Sequence, residues 1–194
     1  MNPAMAKRAY RNDPYCGDQF ACWEDDGKIT LCMVDGLGHG AQAEKAAKAA
    51  AQYVGEHLSE PLDEIFSGCD EEIRSTRGVA MGLAVIDEKQ ATLTYGGIGN
   101  TSARIIGGDS VTFTGNAGIV GGGYRKINVR LIVLTPGQLL VMHTDGIAGR
   151  LDISRYSADL QQDLDKLATA IIDDWSREND DSAVMVYRYG GKPR

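Results

Sequence analysis

The first patterned region of the chain predicts a β-hairpin. Two runs rich in β-forming residues, 20–23 and 29–34, flank the tetrapeptide 25–28. The Asp-Gly pair inside that tetrapeptide is a strong signal for a tight hairpin turn. The second run ends at Asp35, and glycines at alternate positions follow it.

From residue 41 the apolar residues change to the 3.6-residue period of an amphipathic helix. The residues on the apolar face are Ala43, Ala46, Ala47, Ala50, Val54 and Leu58. Because this face consists mostly of alanine, the helix can pack closely against its neighbour. The same period predicts a shorter helix over 62–75 and a third helix over 158–176.

Strand patterns dominate the region between the second and third helices. Three further hairpins are predicted there, over 78–99, 101–114 and 126–147. The last of these hairpins is expected to turn at Thr135-Pro136-Gly137. The intervening stretch 116–124 holds four glycines and is predicted to be a loop. Residues 182–189 are predicted to form the closing strand.

The order of these elements predicts the fold class. It runs hairpin, two helices, several hairpins, helix and strand, with no alternating βαβα pattern, so a doubly wound parallel sheet is not expected. Two antiparallel sheets with helices on their outer faces fit this order, which makes the fold α+β. The length of 194 residues, without an evident linker or repeat, predicts one domain over 1–194.

Composition restricts the partners and the compartment. The net charge of −7 argues against a nucleic-acid partner, because phosphate backbones are bound by clustered Lys and Arg. The four cysteines form no Cys-x-x-Cys pair, so a zinc knuckle is not expected. The sequence contains no secretory signal and no run near the ~20 apolar residues of a membrane span. We therefore expect a cytoplasmic protein with no membrane partner.

Several aspartates share one context, because each lies where a predicted strand begins or ends. They are Asp18, Asp35, Asp145, Asp180 and Asp181. Strands that end at one rim of a sheet would bring these carboxylates together, and like charges at short range raise one another's pKa. A divalent cation removes that repulsion, and hard oxygen ligands select Mg²⁺ or Mn²⁺. The alternative is ordinary turn structure, since Asp-Gly is also a common turn dipeptide.

The glycine-rich stretch 36–40 allows two interpretations. A nucleotide-binding loop is disfavoured, because the G-x-G-x-G spacing differs from the G-x-G-x-x-G fingerprint and no G-K-[ST] follows. Glycines at 36 and 38 would instead let the backbone turn sharply and approach an ion closely. In that case the Gly36 carbonyl would be a metal ligand beside the Asp35 carboxylate.

The segments "VDGLGHG", "TDGI" and "NDDSAVMV" resemble, in order and spacing, the aspartate motifs of the protein phosphatase 2C superfamily of metal-dependent protein phosphatases. The Gly-His-Gly form of the loop and "GGIGN" at 96–100 are most similar to the bacterial SpoIIE branch of that superfamily. The resemblance spans roughly residues 18–189. It implies a four-layer α/β/β/α sandwich with a binuclear Mn²⁺ or Mg²⁺ site at one edge.

The resemblance also implies a role for each residue of the site. Asp35 would bridge the two metals and carry the catalysis, and the Gly36 carbonyl would bind one of them. Asp145 and Asp180 would hold the other metal, and Asp18 would contribute directly or through water. The implied activity is hydrolysis of phosphoserine or phosphothreonine on proteins. Similar stand-alone enzymes act on phosphorylated STAS-domain proteins of the stressosome, which are the expected partners of a monomeric enzyme.

The sequence departs from the superfamily pattern at several positions. Many relatives carry a histidine two residues after the bridging aspartate, whereas this chain has Leu37 there and His39 two residues later. We treat His39 as a catalytic candidate that protonates the leaving oxygen or positions a water that does so. The alternative is that His39 is only a polar residue near the start of a helix, with no catalytic role. Asn100 stands where some relatives use an aspartate for a third metal, and Arg8 and Arg11 are candidates for a phosphate-binding arginine.

Two other functions compete with the phosphatase. One is a catalytically silent module that binds STAS-domain partners, and the retained aspartates argue against it. The other is a nucleotide-binding regulatory domain, which the missing lysine and the antiparallel pattern disfavour.

Overall fold

The computed structural model describes residues 2–149 and 151–190. The helices of this part of the chain are α1 (Ala41–Glu56), α2 (Leu62–Glu72), α3 (Ala158–Gln162) and α4 (Leu164–Trp175). The strands before residue 100 are β1 (Ala4–Arg8), β2 (Asp18–Asp25), β3 (Lys28–Gly36), β4 (Val79–Asp87) and β5 (Thr92–Ile98). The later strands are β6 (Ser102–Ile106), β7 (Val111–Thr114), β8 (Gly118–Ile119), β9 (Gly123–Tyr124), β10 (Arg130–Val133), β11 (Leu139–His143) and β12 (Ser182–Arg188).

The strands form two five-stranded antiparallel sheets. Sheet I has the strand order β10-β5-β4-β3-β2, and sheet II has the order β1-β12-β11-β6-β7. Strands β8 and β9 form a separate two-stranded pair. The predicted α+β fold with two antiparallel sheets is therefore confirmed.

Side-chain alternation along the strands produces the layers, because successive residues of a strand point to opposite faces. In β3, Leu31 and Met33 pack into the central core between the sheets. Cys32 and Val34 of the same strand pack against α1 and α2 on the outer face of sheet I. Strand β11 alternates in the same way between the central core and α4. The layer order is therefore helices, sheet I, sheet II and helix, as the α/β/β/α prediction states.

The three hairpins whose strands are joined by short turns are confirmed. Strand β2 pairs with β3, β4 with β5, and β6 with β7, each in antiparallel register. In the first of them Asp25 pairs with Lys28 around a two-residue turn. Asp26 has φ 42° and Gly27 has φ 75°, which is the positive-φ pair that a type I′ turn requires.

The fourth predicted hairpin is wrong, because its two strands belong to different sheets. Strand β10 pairs with β5 in sheet I, whereas β11 pairs with β6 and β12 in sheet II. The backbone N–H of Leu134 still bonds to Ala91 beside sheet I. Three residues later the N–H of Gly137 donates to the carbonyl of Tyr189, which follows β12. The Thr135-Pro136-Gly137 turn therefore carries the chain across the sandwich instead of reversing it within one sheet.

Three smaller differences separate the sequence predictions from the structure. The third helix is divided at Asp163, which has an extended backbone, and its side chain accepts a bond from the Lys166 N–H to begin α4. The stretch 116–124 contains the short β8–β9 pair in addition to loop. Strand β1 was not predicted, because its five residues carry only two small apolar side chains facing inward, Ala4 and Ala6.

A search of the described helices for a membrane span finds none of sufficient length and apolar character.

Candidate metal centre

The four predicted metal-binding aspartates lie at one edge of the sandwich. Asp18 begins β2 and Asp35 lies at the end of β3, and their Cα atoms are direct partners in the antiparallel ladder. Asp145 follows the end of β11, and Asp180 precedes the start of β12. The pKa of Asp35 responds to the charges of both Asp145 and Asp180. The structure therefore brings together aspartates from both sheets.

Asp18 is the most deeply buried of the four, with 1 % of its surface exposed. The Thr144 hydroxyl donates a hydrogen bond of 2.6 Å to Asp18 Oδ2, and the Ala183 N–H donates to the same hydroxyl oxygen at 3.0 Å. Burial raises the pKa of Asp18 well above its ordinary value, and the Asp35 charge raises it further. The Thr144 hydrogen bond acts in the opposite direction because it stabilises the charged form.

Asp35 is half-buried and is surrounded by other acids. Its pKa rises from 3.8 to about 7, and burial is the largest cause, followed by the charges of Asp145 and Asp180. Burial and the Asp145 charge also raise the pKa of Asp180. A group of carboxylates that raise one another's pKa is a site where a cation gains binding energy by relieving repulsion.

Asp180 and Asp181 are neighbours with different surroundings. The Asp181 carboxylate accepts backbone N–H bonds from Tyr10 and Gly17, each at 2.8 Å. Asp181 therefore holds the N-terminal segment against the start of β2. Asp180 is half-buried, and its carboxylate accepts only the N–H of Asp181 among the bonds within the described residues. This difference supports Asp180, and not Asp181, as the available ligand.

Asn100 lies beside Asp145, and its Nδ2 donates to Asp145 Oδ2 at 2.7 Å. The same amide favours the charged form of Asp35 and so lowers its pKa. Burial and the charges of Asp145 and Asp180 raise that pKa by more. Asn100, which stands where some relatives use an aspartate to bind a third metal, is therefore a hydrogen-bond donor to the acidic cluster.

Glycine at position 36 is required by the packing of α1. A Cβ atom at Gly36 would collide with the backbone carbonyl of Ala43 in the first turn of that helix. The Gly36 N–H donates to the Gly17 carbonyl at 3.1 Å, which ties the end of β3 to the residue before Asp18. Gly38 has φ +81°, a backbone conformation that glycine adopts most readily. These glycines give helix and loop backbones close access to the acidic edge.

His39 is exposed on the loop between β3 and α1. Its ring lies 5.0 Å from the ring of Tyr10, at 47°. The N-terminal segment therefore covers one side of the candidate general acid.

Arg8 and Arg11 lie next to the site but differ in their contacts. Arg8 pairs with Asp173 at 2.6 Å, whereas the Arg11 guanidinium lies 5.0 Å from the Tyr10 ring centre. Both line a pocket of about 180 Å³ that also includes Asp180 and Arg177.

The residues present fit a hard divalent cation in chemistry, although they do not form a finished cage. Four aspartates supply oxygen donors, and the pKa values of Asp18, Asp35 and Asp180 rise partly because of neighbouring aspartates. Within residues 2–149 and 151–190, no three His, Cys, Asp or Glu side chains are close enough to hold one ion as they stand.

Two residues of the site were not recognised from the sequence. The sequence analysis assigns no role to Thr144 and names Asp181 only among the aspartates at strand ends. A threonine directly before an aspartate at the end of a strand is the local sequence signal that could have identified Thr144. The role of Asp181 depends on a segment 171 residues away in the chain.

The match to a sequence family model and the likeness to a phosphoserine phosphatase identify a serine/threonine protein phosphatase of the protein phosphatase 2C type. The four-layer sandwich with its carboxylate-lined edge agrees with that class. Residues 25–190 match the sequence model of the family described as Stage II sporulation protein E (SpoIIE), and the chain belongs to this family. The predicted membership of the SpoIIE branch is thereby confirmed. The matched range includes Asp35, Asp145 and Asp180, whereas Asp18 precedes it.

A relative of known identity is the phosphoserine phosphatase RsbX of Bacillus subtilis (strain 168). The two sequences are 28 % identical over 136 residues, which are 68 % of this chain and 67 % of RsbX.

Solved structures show the same fold. A chain solved in work on the bacterial stressosome, a modular system adapted to control secondary messenger signalling, superposes with a TM-score of 0.88 at 28 % identity, covering 96 % of this chain and 98 % of the other. RsbX in complex with magnesium gives a TM-score of 0.79 at 21 % identity, covering 95 % and 92 %. The phosphatase domain of SpoIIE from Bacillus subtilis, solved with a fragment of its regulatory domain, gives a TM-score of 0.76 at 21 % identity, covering 99 % of this chain and 64 % of that one.

Proposed function

We propose that this phosphatase hydrolyses phosphoserine and phosphothreonine on STAS-domain proteins of the stressosome in a reaction that depends on Mn²⁺ or Mg²⁺. The observation that carries the metal dependence is the acidic edge, where burial and neighbouring aspartates raise the pKa of Asp18, Asp35 and Asp180. The substrate class is supported by the likeness to RsbX and to a chain from the stressosome work.

Five residues would hold two ions at this edge. Asp35 would bridge them, as the likeness to the superfamily implies, and its pKa responds to the charges of Asp145 and Asp180. The Gly36 carbonyl would bind one ion, and Asp145 and Asp180 would bind the other. Asp18 would contribute directly or through water, with its orientation set by Thr144. When bound, such ions lower the pKa of a water molecule and neutralise phosphoryl oxygens.

The side chains of the site would then act as charged ligands and as hydrogen-bond donors that position those ligands. Asp18, Asp35 and Asp180 would act as carboxylates, with their raised pKa values relieved by the cations. Asn100 would hold Asp145 in place through its amide. A water molecule can attack phosphorus directly, so no serine or cysteine nucleophile is required.

His39 is proposed as the general acid that protonates the leaving serine or threonine oxygen, directly or through a water. Its exposed position on the loop after Asp35 is compatible with access to a bound protein substrate. The His39→Ala variant should lose about 10²-fold or more in kcat on a phosphoprotein, the usual scale of general acid catalysis. It should lose much less on p-nitrophenyl phosphate, whose leaving group needs no proton. Equal rates for the variant and the unmodified enzyme on the phosphoprotein would remove His39 from the mechanism.

The decisive assay is dephosphorylation of a STAS-domain protein that has been phosphorylated by its own kinase. Turnover should appear with Mn²⁺ or Mg²⁺ and disappear with EDTA. If the protein binds the STAS-domain partner but releases no phosphate under any metal condition, the silent binding module is the better description. If it dephosphorylates other phosphoproteins but not this one, the activity stands and the substrate assignment fails.

We further propose that the enzyme acts as a monomer in the cytoplasm. All four cysteines are free thiols, which is compatible with a reducing compartment. Sedimentation at micromolar concentration with and without metal tests the monomer.

A further inference from the structure

Arg77 lies opposite the glycine loop that follows Asp35. The antiparallel register of β3 and β4 pairs Asp35 with Ala80 and Gly36 with Val79. The Leu37 N–H then donates to the Gly78 carbonyl at 3.1 Å, so the two chains stay together beyond the ladder. The Arg77 Nη1 atom would lie only 3.0 Å from a Cβ atom at Gly38. The guanidinium is therefore packed onto the glycine three residues after Asp35.

The backbone on both sides of Arg77 is held in place. The Thr76 hydroxyl donates to the Ile73 carbonyl at 2.7 Å and accepts the Gly78 N–H at 3.1 Å. Gly78 has φ +79°, and a side chain there would meet Ile119. Because its neighbours are anchored, Arg77 projects from a fixed backbone segment beside the loop that follows Asp35.

The Arg77 side chain is exposed and makes no ion pair with a described carboxylate. Arg74, three residues earlier, does pair with a carboxylate, that of Asp70 at 3.9 Å. The Arg77 guanidinium is therefore available to an anion at the loop that follows Asp35. A phosphomonoester dianion would be repelled by the aspartates, and an arginine fork at their margin offsets that repulsion.

We propose that Arg77 is a substrate-binding residue that holds the phosphoryl oxygens of the phosphoserine or phosphothreonine side chain. This inference rests on the proposed function, because it names the contact through which that substrate is bound. The glycine at position 38 leaves the space in which the guanidinium lies, so loop and arginine form one phosphate-binding unit.

Steady-state kinetics with the metal-loaded enzyme test this role. Arg77→Ala should raise KM for the phosphoprotein about tenfold, as loss of a charge-assisted contact predicts, and change kcat much less. Arg77→Lys should restore part of that loss, because the charge remains but the planar fork does not. Arg74→Ala is the matched control, since it removes an exposed arginine three residues earlier that pairs with Asp70. An Arg77→Ala enzyme with the KM of the Arg74→Ala control contradicts the proposal, as does a loss confined to kcat.

A binding measurement separates this inference from the proposed function. Metal-free protein is titrated with inorganic phosphate at constant ionic strength, and the amide signals of Gly38 and Gly78 are followed by NMR. They should shift in the unmodified protein and in Arg74→Ala but not in Arg77→Ala. Shifts that persist in Arg77→Ala, or that are absent from the unmodified protein, overturn the role of Arg77 even if the enzyme is active. Shifts that depend on Arg77 in a protein inactive on every phosphoprotein support the site while the proposed reaction fails.

Discussion

The two ends of strand β3 place acidic side chains in opposite surroundings. At its start, the turn residue Asp26 is exposed and its carboxylate pairs with Lys89 at 2.6 Å. This pairing lowers the pKa of Asp26. At the end of the strand, Asp35 is half-buried among other aspartates and its pKa rises to about 7, chiefly through burial. The β2–β3 hairpin therefore carries one exposed aspartate that is paired with a lysine and one half-buried aspartate that is surrounded by other acids.

This difference shows that the acidic edge does not simply follow from the net negative charge of the chain. Ordinary acids of this chain are solvated or paired with lysine or arginine, as at Asp26 and at Asp173. The folded chain could pair Asp35 in the same way but surrounds it with like charge. Repulsion of this kind is retained in proteins where a bound cation or a reaction requires it.

The largest expected effect is the loss of activity in Asp35→Asn. The amide has the shape of the carboxylate but cannot bridge two cations, so turnover should fall by far more than the 10–100-fold typical of residues behind the ligands. Asp26→Asn is the matched control at the other end of the hairpin and should keep full activity. Phosphate release from a phosphorylated STAS-domain protein is measured for both. Comparable rates for the two variants would erase the distinction between the ends of β3.

The next largest effect is expected for Thr144→Val, which keeps the side-chain shape but removes the hydroxyl. Asp18 loses its donor and the buried Ala183 N–H loses its acceptor. The free energy of unfolding should fall by about 1–3 kcal/mol, and activity by roughly 10–100-fold. Thr30→Val, at a buried threonine near the far end of β3, is the control and should keep its activity. A fully active Thr144→Val enzyme would mean that Asp18 needs no orientation.

A smaller effect concerns the pH dependence of stability in the metal-free protein. The pKa values of Asp18, Asp35 and Asp180 are raised on folding, so their contribution to stability is present at low pH. The contribution of Asp35 should be lost as the pH rises from the ordinary carboxyl value of 3.8 to about 7. Asp35→Asn should lessen this loss and raise Tm at pH 7.5 by roughly 5 °C. Thermal unfolding in EDTA between pH 5 and 8 tests it, and a Tm lowered by the substitution would contradict the repulsion.

The smallest effect is expected at the compensated end of the hairpin. Lys89→Ala removes the partner of Asp26, but exposed ion pairs contribute little to stability. Its Tm and kcat should equal those of the unmodified protein. A clear loss of stability would show that the turn end of β3 depends on its ion pair, and the contrast between the two ends would then be weaker.

The sequence predicted the elements whose partners are near in the chain. The Asp26-Gly27 turn and the alternation on either side specify the β2–β3 hairpin, because the two positive φ angles suit those residues. The Thr135-Pro136-Gly137 turn looks equally local, yet β10 and β11 separate into different sheets. Pairing there is decided by Gly137 bonding to Tyr189 across the sandwich, and no short-range pattern reports that contact.

The residues of the candidate site also fall into two groups, those with a local sequence signal and those whose contacts only the fold creates. The aspartates were recognised because each lies at a strand end with a recurring motif around it. Thr144 and Asp181 were not, because their roles depend on Asp18 and on the N-terminal segment, which only the folded chain brings near them. Burial of Asp18 and the mutual shift of the carboxyl pKa values likewise follow from convergence of both sheets.

Calorimetric titration of Mn²⁺ into the metal-free protein tests the central claim most directly. At pH 7, where Asp35 is partly protonated, the unmodified protein should bind close to two ions per chain and release protons, seen as a heat that varies with the buffer. Asp35→Asn should lose this binding, and Asp26→Asn should retain it. Absence of Mn²⁺ binding by the unmodified protein, or equal binding by Asp35→Asn, would contradict a metal centre at the acidic edge.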